Sequence, residues 1–145
     1  MVSRGVAVSL ADGTSKLIEE LRPGDAVATR AFSWYPVTKI QCATASAAAH
    51  ESGAAPRVTA IVKRTLLGYS VIATAAPGLT IDSRAYMKIG GTWSHPTSRY
   101  QANPQLDAVV YDVYLEGASL SYMAGGHEIA AANHAIYGSS RKTSP

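Results

Sequence analysis

Apolar residues in this chain fall in short alternating stretches, without the three-to-four-residue rhythm of an amphipathic helix. Residues 6–10 alternate small and apolar side chains and run into Ala11-Asp12-Gly13-Thr14, where Asp-Gly marks a tight turn because Gly accepts a positive φ. A hairpin is expected there. Residues 16–21 read as the next strand and lead to Arg22-Pro23-Gly24-Asp25, a turn before a further strand over 26–29. Residues 41–56 shift to Ala, Ser, His and Gly with little to bury, which predicts a surface loop or short frayed helix inserted between strands. Strand character returns over 57–64, 69–74, 79–81, 86–89, around Trp93, and over 109–115, 120–123 and 127–131. The Pro77-Gly78, Gly90-Gly91 and Gly125-Gly126 pairs punctuate these stretches. The pattern predicts an all-β domain of about a dozen short strands, with Val8, Leu10, Leu21, Val27, Val58, Ile61, Val71, Ile72, Leu79, Val110, Val113 and Leu115 in its core.

A length of 145 residues fits one domain able to bury a continuous core. Residues 1–138 are expected to form it, with 139–145 a polar tail. Cys42 is the sole cysteine, so an internal disulfide is excluded, and no His/Cys cluster has zinc spacing. No cofactor or metal is expected. No apolar run reaches the roughly 18 to 20 residues of a membrane span, and no signal-peptide pattern opens the chain, which together with the lone cysteine favours an intracellular location. The net charge of +3 is spread over scattered Arg and Lys, whereas nucleic-acid binding needs a clustered basic face. The oligomeric state is left open.

Three segments carry a resemblance. Residues 5–27, with Gly5-Val6-Ala7-Val8, the Asp12-Gly13 turn, Leu17-Ile18-Glu19-Glu20-Leu21 and Gly24-Asp25-Ala26-Val27, resemble the first block of the Hint family, the self-processing fold of hedgehog C-terminal domains and inteins. Leu79-Thr80-Ile81-Asp82-Ser83, continuing to Gly90-Gly91-Thr92-Trp93, resembles its Thr-x-x-His block, with Ser83 where His is expected. Val110-Tyr111-Asp112-Val113 resembles its Tyr-Asp strand, and Asp112 falls on the family aspartate. The end, His127-Glu128-Ile129 through Asn133-His134-Ala135, with Trp93-Ser94-His95-Pro96, looks closest to the Vint subgroup found beside von Willebrand factor A domains. The splicing form ends in His-Asn, but this chain reads Asn133-His134 and continues, so N-terminal cleavage is the expected chemistry and splicing is not.

The resemblance implies a disc or horseshoe of strands that cleaves its own N-terminal junction, with the upstream polypeptide as substrate. A position-1 Cys attacks the preceding carbonyl, a His protonates the departing nitrogen, and hydroxyl or backbone donors hold the oxyanion. Here position 1 is Met1, whose thioether has no ionisable proton. Either an initiator Met stands where the native chain has Cys, or the natural protein has lost the nucleophile; Val2-Ser3-Arg4-Gly5 keeps the family spacing. Ser83 can donate a hydrogen bond but cannot replace an imidazole, a loss of about 10² to 10⁴ in rate.

His127 and His134 are the candidate substitutes. His127 reads equally as an exposed strand start, and His134 as a structural residue near the end of the fold. Thr80 is a candidate oxyanion donor or an ordinary β-branched strand residue. Asp112 is a candidate tuner of the nucleophile and proton transfers or a local backbone partner. His50, His95 and Cys42 read as loop or packing residues. A Hint-type autoprocessing domain disabled by Met1 and Ser83 is the leading expectation; an inert Hint-fold binding or structural module is the alternative, and an unrelated ligand-binding β-barrel the third.

Overall fold

In the computed structural model, residues 1–29, 55–117 and 119–141 are described. The expected insertion over 41–56, with Cys42 and His50, lies almost wholly outside them. Ten strands occur among the described residues: β1 (Val2–Ser3), β2 (Ala7–Ser9), β3 (Ser15–Leu17), β4 (Arg57–Ala75), β5 (Leu79–Asp82), β6 (Met87–Ile89), β7 (Thr92–Ser94), β8 (Ala102–Glu116), β9 (Ser121–Ala124) and β10 (His127–Ala130). They form two units. β1, β5, β4 and β8 hydrogen-bond in a closed ring, and β3, β2, β9, β10, β6 and β7 form a six-stranded sheet in that order.

The all-β expectation holds, and its departures have local causes. The predicted strand over 16–21 stops at Leu17 and becomes a 3₁₀ turn, Ile18–Glu20. There the Glu19 carboxylate accepts the Gly5 amide proton at 2.8 Å and Glu20 accepts that of Leu17 at 3.1 Å, so side chains replace ladder partners. The stretch over 26–29 forms only single bridges, Leu10 with Val27 and Ala26 with Arg57. The stretches over 57–64 and 69–74 merge into the 19-residue β4, which pairs with a lengthened β8 from Arg57 opposite Glu116 to Ala73 opposite Ala102. Gly68, at φ 78°, absorbs the register shift between Leu66 and Tyr69 that periodicity reads as a break.

Val8, Leu21, Val27, Val58, Ile72, Leu79, Val110, Val113 and Leu115 are buried as expected, and Leu10 and Ile61 are partly so. Val71 is instead 43% exposed, because it pairs with Pro104 on the outer reach of the β4–β8 ribbon. A short helix, α1 (Ala135–Arg141), follows β10 and runs past residue 138. The Gly125-Gly126 turn between β9 and β10 packs against the Pro77-Gly78 turn, with the Gly125 amide bonded to Ala7 and its carbonyl accepting from Gly78.

β1 is only two residues long, yet it is held from both sides. Val2 lies opposite Ile81 of β5 and Tyr111 of β8, and Ser3 lies opposite Val110. The Val2 side chain is fully buried, which contributes about 1.5–3 kcal/mol and fixes the chain start between β5 and β8.

Candidate functional site

The strand register builds the site around the nitrogen of position 1. Because Val2 opposes Ile81 and Tyr111, Met1 falls between Asp82 and Asp112. The Asp82 amide donates to the Met1 carbonyl at 2.9 Å, tying the backbone to β5. On the other side the Met1 ammonium donates to the Tyr111 carbonyl and, at 2.7 Å, to Asp112 Oδ1.

Asp112 is the hub. Arg64, on the neighbouring β4, brings Nε to 2.7 Å from Oδ2 and Nη2 to 3.3 Å from Oδ1. Burial acts to raise the Asp112 pKa, but the Met1 ammonium and the Arg64 guanidinium outweigh it, so the carboxyl lies below its ordinary range. Burial lowers the Met1 ammonium from its ordinary value, with Asp112 opposing and Arg64 adding to the shift. A cavity of about 220 Å³ adjoins this pair, lined by Met1, Arg64, Asp112, Tyr114, Ala132 and Tyr137.

α1 supplies Tyr137. Its hydroxyl accepts the Tyr86 amide proton at 2.7 Å and lies 3.8 Å from Met1 Sδ. Burial pushes the Tyr137 hydroxyl up to about 12, so it stays protonated near neutrality.

The sequence-predicted residues divide clearly. Met1 and Asp112 meet, and Val2 lies beside the strand that carries Asp112. Thr80 pairs with Thr74 on β4, and Ser83, in the turn after β5, donates its amide to the Val71 carbonyl at 3.0 Å. His127 Nε2 is 2.5 Å from the Ala76 carbonyl oxygen, with its ring edge-on to Tyr100. His134 Nδ1 accepts the Ile136 amide proton at 2.9 Å, and its ring meets Trp93 at 4.9 Å. His95 Nδ1 is 3.0 Å from the Ala85 carbonyl, with its ring beside Tyr86. These three imidazoles have their hydrogen-bond partners away from position 1.

Asn133 occupies a backbone role, its side chain accepting from the Leu115 amide at 3.1 Å and donating to the Leu115 carbonyl at 2.7 Å. Asp82, the residue facing Met1 on β5, has its carboxylate taken by Arg84 at 2.9 and 3.2 Å. Sequence reasoning missed Arg64 and Tyr137. Arg64 carried a weak signal, one of two adjacent cations in a strand-like stretch; Tyr137 carried none.

The closed ring and the six-stranded sheet give the Hint fold seen in inteins. Solved structures similar to this chain are inteins: two crystal structures of the MchDnaB-1 intein, with TM-scores of 0.60 and 0.57 at 12% and 11% identity, cover 91% and 90% of this chain and 100% and 99% of theirs. A DnaB intein from Synechocystis sp. PCC 6803 gives a TM-score of 0.55 at 11% identity, covering 90% of this chain and 97% of its own. At this identity the likeness is one of fold. No family profile and no curated protein matches the chain. Among the described residues no helix is long and apolar enough to cross a membrane.

Proposed function

We propose that this is a Hint-type autoprocessing domain that breaks the peptide bond ahead of position 1 when a cysteine stands there, and that the form carrying Met1 and Ser83 is arrested. The observation that carries this reading is the Asp112 carboxylate 2.7 Å from the position-1 nitrogen, inside a backbone tied to both neighbouring strands. That nitrogen is the leaving atom of an N-terminal acyl shift. The thiol gives up its proton as its sulfur bonds to the preceding carbonyl carbon, the carbon–nitrogen bond breaks, and the nitrogen takes up two protons, the equivalent of the thiol's and one from solvent, to leave as an ammonium. A carboxylate attracts the resulting ammonium more strongly than the parent amide, so it favours the later stages of the reaction over the ground state. Exchange with a thiol, or hydrolysis, then releases the upstream polypeptide. The Vint-like end of the chain is consistent with cleavage without splicing.

The second reading, an inert Hint-fold binding or structural module, is favoured by the side chains of Met1 and Ser83 and by the engagement of His95, His127 and His134 elsewhere. A reporter protein fused ahead of Met1→Cys separates the two by intact mass, with and without thiol at neutral pH. Thiol-dependent release, faster with Ser83→His and slower with Thr80→Ala or Asp112→Ala, is expected for autoprocessing. No release from a folded Met1→Cys/Ser83→His double variant would leave the inert module.

A further inference from the structure

We infer that Arg64 is a positioning residue for this site: its guanidinium grips both oxygens of Asp112 and aims Oδ1 at the nitrogen of position 1. The inference rests on the autoprocessing reading above, but its geometry is independent of which residue occupies position 1. Arg64 belongs to β4, where it pairs with Val110, so it reaches Asp112 diagonally across the β4–β8 ladder. Nε lies 2.7 Å from Oδ2 while Nη2 lies 3.3 Å from Oδ1. This planar fork fixes the plane of the carboxylate in a way that a point charge cannot. With Oδ2 held by Nε, Oδ1 is the atom left to meet the position-1 nitrogen at 2.7 Å.

The fork also settles what Asp112 can do. A carboxylate held by a permanent cation stays ionised as the leaving nitrogen gains its proton, and so serves as an anionic acceptor throughout and not as the proton donor. The other charged and titratable groups around it do not substitute. Asp82 is bound by Arg84, Tyr137 is a protonated hydroxyl, and Tyr122 is fully buried with its phenol held neutral by that burial.

The test uses the full chain with a reporter ahead of Met1→Cys/Ser83→His, alone and with Arg64→Met or Arg64→Lys, following release from pH 4 to 9. Carboxylate ¹³C resonances of Asp112 are titrated in the unfused chain with Arg64 and with Arg64→Met. Arg64→Met is expected to slow release by about tenfold or more and to move the acid limb of the pH profile upward. Its Asp112 carbon should titrate at higher pH. Arg64→Lys should restore the acid limb, because it returns the charge, but not the full rate, because it lacks the fork. A residue that merely stabilised the fold would leave the acid limb and the carbon titration of the folded protein in place. Unchanged rate and acid limb with Arg64→Met, or an unmoved Asp112 titration, overturns the inference. If no variant releases the reporter, including the one with Arg64 intact, the autoprocessing reading fails and the positioning role falls with it, whatever the carbon titration shows.

Discussion

Replacing Asp112 by Asn removes one charge and almost no volume, so its cost isolates the electrostatics at the chain start. The carboxylate accepts from two cationic donors, the Met1 nitrogen and Arg64 Nε, each at 2.7 Å. An amide offers one oxygen, so whichever way Asn is turned, its NH₂ faces a donor. At an effective dielectric of about 20, the gross attraction across 2.7 Å is about 6 kcal/mol, most of it offset by desolvation. Because the Arg64 side chain is 38% exposed and water can take over its lost bond, the net loss belongs mainly to the less exposed Met1 side. We expect about 2–4 kcal/mol at pH 7, a fall of about 1–2 M in the urea midpoint.

The dependence on pH has a definite sign. The folded Asp112 pKa lies below its ordinary value, so its stabilisation is fully present above about pH 3.9 and is lost as pH falls through the folded value. Urea denaturation from pH 3 to 8 should therefore show the Asp112→Asn deficit shrinking at the acid end. A deficit under about 0.5 kcal/mol at pH 7, or one that stays constant down to pH 3, would refute the reasoning.

Three further outcomes follow from the same contacts. Gly125→Ala should cost at least about 2 kcal/mol in chemical denaturation, since residue 125 sits at φ 58° and a Cβ would come within 2.6 Å of the Gly78 carbonyl oxygen and 2.7 Å of Leu79 Cα. His134 has its pKa lowered, by burial first and then by Lys88 against the opposing Glu128, so its contribution is complete above about pH 6.5 and lost as pH falls through the folded value. Because Nδ1 must stay unprotonated to accept the Ile136 amide, acid should loosen α1, and Trp93 fluorescence in the wild type but not in His134→Gln should report it. Asn133→Ala should cost about 1–2 kcal/mol by removing both bonds to Leu115, whereas Asn133→Gln, one methylene too long to bridge the same backbone pair, should recover little of it in the same denaturation assay.

Legibility in the sequence followed the range of the interaction. Turns set by one or two residues, such as Asp12-Gly13, Gly90-Gly91 and Gly125-Gly126, stand where the residues indicate because Gly alone settles the backbone there. The stretch over 16–21 looked like a strand because Leu17, Ile18 and Leu21 are apolar, but Glu19 and Glu20 turn back on the backbone of Gly5 and Leu17, and the first of these partners is 14 positions away. Asp112 could be singled out, being a lone acid in a run of Val and Tyr. Arg64 could not be assigned to it, since the two are 48 residues apart and meet only through the β4–β8 register.

His134 shows the opposite limit. An imidazole near the end of the domain is chemically able to deliver a proton, and nothing in the sequence separates that use from a structural one. The structure adds its packing against Trp93 and the Ile136 amide bond to its Nδ1, and both contacts depend on the turn that leads into α1.

Fold and reaction are separable at position 1. What holds the chain start is backbone and the neighbouring Val2: the Met1 carbonyl accepts from Asp82, its nitrogen donates to Tyr111 and Asp112, and Val2 is fully buried between β5 and β8. The position-1 side chain contributes a contact with Tyr137 beside a cavity of about 220 Å³. A smaller side chain leaves each of those backbone bonds in place, so a change from thioether to thiol alters the available chemistry while the scaffold stays the same. The converse also holds. On the proposed reading, loss of the nucleophile would cost the fold only the side-chain contacts at position 1, because Asp112 is paired with a backbone nitrogen and with Arg64, not with a sulfur.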